Sequence, residues 1–431
     1  MMRTAFKYSS NVWQYVAALL MLAGCMAAQA QPAASSPATA RPNVRAITAF
    51  VRLDRTNYKQ QVADALSVLG QARRAFEQRG YTVQSVRITT QPFPDYVRGL
   101  SREQALAFFR EYDDFLKAEG KRQRIEIAPN IGPAMLNDND DPAMADLLGE
   151  VLSTTSLNAS LHVAGDDGIH WKSVRAAAHV IKYAEEHSPN SQGTFNFAAT
   201  AMLQPYAPFF PGSYHSGAGK QFSIGFEGAG LVAGVFAVTR EPHAATDQLT
   251  RAIAAHARVA DEIGNQVQKS TGWKYMGFDP TPAPLKDVSI GAAIESFTGA
   301  RFGSSGTLLA ASVITQAVKA VPVKQVGYAG LMLPVMEDAR LAQRWTEGTY
   351  NLDSLLAYSA VCGTGLDTIP LPGEVTEEQM ARIIGDMAAL AFKWHKPLSA
   401  RLQPETGKKA GDMTAFDDPY LVNAKIHPLP E

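Results

Sequence analysis

The stretch Ser354–Gly373 reads SLLAYSAVCGTGLDTIPLPG. An apolar run delivers Cys362 into a glycine-rich turn, Gly363-Thr364-Gly365, followed by Asp367 and a rigid Pro370/Pro372 exit. Small residues around a thiol let backbone or a ligand approach closely. A thiolate at a helix start or beside a cation is a nucleophile or a redox centre; a thiol in apolar surroundings is a small hydrophobe. The chain has two cysteines, and the other, Cys25, belongs to the leader.

Four further residues could move protons. His215 lies in FFPGSYHSGAG, between aromatic residues and a glycine turn. It is a candidate base or ligand, or else a loop histidine bonded to backbone. Glu227 ends a short apolar strand pattern before Gly228-Ala229-Gly230. A carboxylate there is costly unless paired, so it is an acid, a ligand or half of an ion pair. Asp279 ends Tyr275–Phe278 and enters Pro280-Thr281-Pro282, where an Asx-type turn is the simpler alternative. Asp367 either caps the Gly365 turn or serves the thiol five residues away.

Arg401, Lys408 and Lys409, with Gly407, Gly411 and Asp412 around them, form a C-terminal basic set. Fixed cations on a glycine-rich loop suit a carboxylate or a phosphate, and a solvated loop is the alternative. Gly303–Thr307 reads as a tight turn with a helix cap, because it lacks the Gly-Lys-Ser/Thr ending of a phosphate loop. There is no His-Glu-x-x-His, no cysteine pair and no Gly-x-Ser-x-Gly elbow. The acidic turns at Asn137–Asp141 and Asp166–Gly168 lack full calcium-loop spacing and suit helix starts. No segment specifies a metal, a cofactor or an oligomeric state.

The elements that must position these residues alternate. Strand-like runs at 44–53, 82–89, 124–128, 159–163, 223–226, 275–278 and 328–333 interleave with helical patterns. The helices are expected at 60–78, 101–119, 142–152, 169–186, 246–268, 307–320 and 377–394, with Ser101 and Thr376 as N-caps. This predicts an α/β fold, either a barrel or a large doubly wound sheet. No linker or repeat follows Asn43, so residues 44–431 are expected to form a single large domain.

Residues 1–24 read as a signal peptide: Arg3 and Lys7, then the apolar run Val12–Gly24. The run closes on Leu22-Ala23-Gly24-Cys25, which resembles a bacterial lipobox with Cys25 as the lipidated residue. Ordinary cleavage after Ala28-Gln29-Ala30 is the alternative. The Ala/Pro/Ser-rich stretch up to Asn43 reads as a tether, so 25–43 would let the domain stand off a membrane held only by lipid. The localisation expected is the periplasmic side of a membrane, or else soluble export. The sequence has 40 basic and 41 acidic residues, and no basic stripe argues for nucleic acid.

Several segments together resemble the uncharacterised domain-of-unknown-function family 711. They are AYSAVCGTGLDTIPLPG (357–373), KPLSARLQPETGKKAGDMTAFDDPY (396–420), PFFPGSYH (208–215), FSIGFEG (222–228) and YMGFDPTPAP (275–284). The resemblance implies a barrel-like α/β fold similar in shape to the pyruvate formate-lyase class, with a cysteine loop at its centre, and no established activity. Glycyl-radical chemistry is not expected, because Asp417–Lys425 (DDPYLVNAK) has no glycine to host a radical. The expectation is an exported enzyme of unassigned reaction that acts on a small anion. Cys362, His215, Glu227, Asp279 and Lys408 would then line one cavity, with Asp367 nearby and Arg401, Lys409 and Asp412 completing the anion site. The alternative is a solute-binding lipoprotein without catalysis.

Overall fold

Ten strands carry the architecture of the computed structural model, which describes residues 41–429. The leader, Cys25 and the tether up to residue 40 lie outside the described residues. The strands are β1 (Asn43–Val51), β2 (Val86–Thr90), β3 (Ile127–Pro133), β4 (Asn158–Gly165), β5 (Gly168–Ile169), β6 (Phe197–Ala201), β7 (Gln221–Glu227), β8 (Lys274–Asp279), β9 (Gly365–Pro372) and β10 (Leu398–Glu405). They form one sheet in the order β8-β7-β1-β2-β3-β4-β6-β10-β9, with β5 paired to β4.

Strands β1, β2, β3, β4 and β6 run parallel to one another. Antiparallel to that block lie β7 with β8 on one flank and β10 with β9 on the other. The two edges, β8 and β9, do not pair directly; residues 324–338 join them. Phe278 N–H donates to Lys324 O (2.9 Å), and Val335 N–H donates to Asp367 O (3.0 Å). Single parallel bridges link Phe278 with Gln325 and Pro334 with Asp367. The α/β expectation therefore holds, and the sheet is barrel-like with an irregular seam.

That seam corrects the expectation of a strand at 328–333. Gly327 and Ala329 sit at φ of 74° and 46°, outside the extended region, and no strand forms over 328–333. The N–H groups of Tyr328 and Ala329 donate to the Asp279 carboxylate at 2.9 and 3.1 Å instead of to a neighbouring strand.

Helices form where apolar residues recur at helical spacing. The helix Tyr58–Gln78 buries Val62, Ala65, Leu66, Leu69, Ala72 and Phe76 along one stripe. Burying each large side chain contributes about 1.5–3 kcal/mol, so the stripe rather than propensity holds the helix in place. Capping boxes start the helices Arg102–Gln123 (Ser101 with Gln104) and Glu377–Trp394 (Thr376 with Gln379), at the two N-caps that the sequence predicts.

The inner face of the sheet is polar, and the segment 206–215 runs along it. Thr48 Oγ1 donates to Pro208 O (2.9 Å), and Asn130 Nδ2 donates to Pro211 O (2.6 Å). Thr89 and Ser213 join hydroxyls at 3.0 Å. Side chains alternate across a strand, so Ile47, Ala49 and Ile88 fall on the opposite, apolar face.

Candidate functional site

Asp367 and Arg401 stand side by side on β9 and β10. Between the pairs Leu366/Ala400 and Ile369/Leu402 the register shifts, so two residues of β9 face one of β10. Thr368 takes φ of 49° within this bulge. A bulge re-aims a side chain, and here the Asp367 carboxylate reaches the Arg401 guanidinium. A second irregularity, between Val44 and Ala46, places Arg45 at the same mouth of the sheet.

Arg401 Nη1 donates to Glu337 Oε1 (2.5 Å) and to Asp367 Oδ1 (3.2 Å), while its Nε donates to Phe195 O (3.0 Å). Arg45 Nη2 reaches Glu337 Oε2 at a looser 3.4 Å. Arg87, on β2, donates to Ser85 Oγ (3.2 Å) and to Pro208 O (3.4 Å). No carboxylate among the described residues lies within ion-pair distance of Arg87. Each guanidinium lies over a ring: Arg401 over Phe195 (4.1 Å to the centroid), Arg87 over Phe210 (4.8 Å) and Arg45 over Tyr420 (5.3 Å). Such stacking holds the planar groups in place and leaves their edges as donors.

These residues surround a hollow of about 400 Å³ at the mouth formed by the N-terminal ends of β2, β3 and β4. A recess of about 40 Å³ continues inward to Asp367, Tyr328, Thr364 and Ser399. Burial lifts the Asp367 carboxyl to about 6, with Arg401 opposing the rise and Glu337 adding to it. Burial, then the neighbouring Arg45, push Arg87 down to about 9. The site can thus seat an anionic group on a guanidinium that has no carboxylate partner. Next to it stands a carboxyl able to take or give a proton near neutral pH.

Of the residues read from the sequence, the structure brings only Asp367 and Arg401 into this hollow. The expectation that Cys362, His215, Glu227, Asp279 and Lys408 line one cavity is corrected. Cys362 is fully buried in the apolar core, and among the described residues its sulfur has only Ser359 Oγ, at 3.7 Å, as a polar partner. Lys396 Nζ reaches the backbone carbonyls of Ser359 and Cys362 and so ties down the turn. The glycines serve close packing: a Cβ on Gly330 would stand 2.5 Å from Gly363 Cα.

His215 belongs to the other mouth of the sheet, beside a hollow of about 570 Å³ with Arg52, Gln91 and Asp95. It is fully buried with Nδ1 3.1 Å from Ser216 O, and burial lowers its pKa. Glu227 lies behind the arginine hollow. It accepts from Asn43 (3.4 Å) and from Gln84, whose amide oxygen accepts from Arg45 (3.4 Å). Asp279 forms the Asx turn with Thr281 and takes four donors in all, which makes it the anchor of the seam. Lys408, Lys409 and Asp412 form a surface turn, closed by Lys409 N–H donating to Asp412 Oδ2 (2.9 Å), away from Arg401.

Arg45, Arg87 and Glu337 escaped the sequence reading. Arg87 carried a signal: it interrupts the β-branched run VRITT at the position that alternates inward. Arg45 needs its bulge and Glu337 its seam, and neither has a local signature.

The profile of the family described as "Uncharacterised ACR (DUF711)" matches residues 38–417. A UPF0210 protein of Pyrobaculum aerophilum is 37% identical over 285 residues, 63% of this chain and 62% of that protein. A UPF0210 protein of Methanocaldococcus jannaschii is 26% identical over 379 residues, 83% of this chain and 82% of its own. The chain thus spans slightly more than three fifths of the first of these relatives and most of the second. This chain belongs to the DUF711 family of uncharacterised proteins, as the resemblance of its glycine-rich cysteine turn and C-terminal segment implied.

Proposed function

We propose that the protein is an enzyme acting on a small organic anion in the arginine-lined hollow. Arg87 is the single observation that carries this reading: a half-buried guanidinium at the mouth of the sheet, over the ring of Phe210, without a carboxylate partner among the described residues. A cation partly withdrawn from water loses some of its hydration, and an incoming carboxylate or phosphate would match its charge. Arg401 and Glu337 hold Asp367 in place, and Asp367 transfers the proton. The centre of chemistry lies at Asp367, not at Cys362. The test is to screen anionic metabolites for depletion by the purified protein and by Asp367→Asn. Turnover lost in the variant while binding persists supports an enzyme.

Binding without turnover of any metabolite in both proteins favours the alternative, a solute-binding protein. The seam supports that alternative, because residues 324–338 hold the mouth in one arrangement without needing a catalytic group.

Export and lipid anchoring through Cys25 belong to the same proposal, resting on the Leu-Ala-Gly-Cys sequence after an apolar run. No helix among the described residues is long and apolar enough to cross a membrane. Metabolic labelling with palmitate in a bacterial host tests the anchor. Label that is absent from Cys25→Ser supports it, and equal label in both proteins contradicts it.

A further inference from the structure

The arginine hollow has two kinds of wall. One side presents guanidiniums backed by aromatic rings. The other presents amides: Asn158, Gln192 and Asn196. Asn158 Nδ2 donates to Pro129 O and Gln192 Nε2 donates to Asp418, which leaves both amide oxygens without a partner among the described residues. Asn196 has no side-chain partner among the described residues and is only partly buried. Beside them stand carboxylate acceptors, Glu126 at the rim and Asp418. An amide that accepts and donates at once, next to a carboxylate, is the surrounding that pairs of hydroxyl groups satisfy. An alkyl chain would leave those polar atoms without partners, at a cost for each.

Charge limits the ligand further. Of the three cations, Arg87 is the one with no carboxylate at ion-pair distance among the described residues, since Arg45 and Arg401 both engage Glu337. The carboxylates of Glu126, Asp418 and Glu337 face the rest of the volume. A second acidic group on the ligand would meet like charge. A hollow of about 400 Å³ lies within the usual range for one small metabolite.

From this juxtaposition of one unmatched guanidinium with an amide and carboxylate wall, we propose that the ligand is an acidic sugar. It is a polyol of about six carbons carrying a single phosphate or carboxylate. The acidic group sits on Arg87 and the hydroxyls face Asn158, Gln192 and Asn196. This rests on the anion-binding reading given above and goes further by naming the body of the ligand.

Isothermal titration of the purified full-length protein with glucose 6-phosphate, gluconate, inorganic phosphate, hexyl phosphate and glucose tests it. Glucose 6-phosphate or gluconate is expected to bind at least ~10-fold more tightly than inorganic or hexyl phosphate, with glucose weaker still. Asn196→Ala, which breaks no existing side-chain hydrogen bond, should reduce that preference to less than ~3-fold and leave the affinity for inorganic phosphate unchanged. Hexyl phosphate binding as tightly as glucose 6-phosphate overturns the sugar assignment and leaves anion binding intact. If no anion binds, or if Arg87→Met binds them all equally well, the underlying anion site fails too.

Discussion

Asp367 and Glu337 lean on one atom, Arg401 Nη1, at 3.2 and 2.5 Å. The Glu337 carboxylate beside it disfavours the charged form of Asp367. Burial is the larger cause, and it lifts Asp367 to about 6 despite the adjacent guanidinium.

The sign of the pH dependence follows. Folded Asp367 holds its proton above the range in which unfolded Asp loses it. Its ionisation therefore costs stability as pH rises from about 4 to about 6, and the full cost is present above that window. Asn mimics the protonated form. Melting temperatures of the wild type and Asp367→Asn, measured from pH 4 to 8, should show the variant gaining relative to wild type by roughly 2 °C or more, with a plateau above pH 6. A difference independent of pH would show that Asp367 titrates as an ordinary carboxylate.

Arg87 sets function against stability. Among the described residues its guanidinium makes two hydrogen bonds and one ring contact but no ion pair. Replacing a poorly matched cation by an apolar chain of similar length is often neutral or stabilising. Arg87→Met should keep the urea midpoint or raise it, by up to ~1–2 kcal/mol in stability. Its affinity for small anions should fall at least ~10-fold. Destabilisation with unchanged affinity would make Arg87 a structural residue.

Cys362 should behave as core. In the native protein an aromatic disulfide reagent is expected to leave the thiol unmodified over minutes and to titrate it fully in guanidinium. Cys362→Ala should lose about 1 kcal/mol of stability and leave anion affinity within twofold. Rapid native labelling would place the sulfur at an open surface and revive it as a nucleophile.

Asp279 should matter for folding. Asp279→Ala leaves the N–H groups of Thr281, Tyr328 and Ala329 without their acceptor. Each buried orphan costs about 1–3 kcal/mol, so a loss of at least ~3 kcal/mol is expected by chemical denaturation. Gly330→Ala should act on the same seam by driving a methyl into Gly363. A loss under 1 kcal/mol in both variants would mean the seam is not held as described.

Much of the fold was legible because it is periodic. Helix stripes such as Val62–Phe76 and the capping pairs Ser101/Gln104 and Thr376/Gln379 announce themselves locally. The strands β6, β9 and β10 went unrecognised for physical reasons. β6 is FAATA, five residues with little amphipathic pattern. β9 carries Pro370 and Pro372, which only an edge strand accepts. β10 alternates Leu398, Ala400 and Leu402 with polar residues at a strand's period, but its charged residues and Pro404 lead directly into the glycine-rich basic turn and read with it as one loop. The seam was read as a strand because its apolar composition hides the positive φ angles at 327 and 329.

The site was half legible. Asp367 and Arg401 were visible as chemistry-bearing residues, but their meeting depends on a bulge. The cysteine turn drew attention through its glycines, whose role is the close approach of Gly363 to Gly330. Arg87 and Glu337 reach the hollow from elements far apart in the chain, and only the folded sheet joins them.

The most direct measurement is an anomalous difference map from a crystal grown in selenate. Selenium density within hydrogen-bonding distance of the Arg87 guanidinium, and absent from an Arg87→Met crystal, is the result expected. Selenate found only elsewhere, with the Arg87 donors vacant at saturating concentration, would contradict the anion site on which the functional account stands.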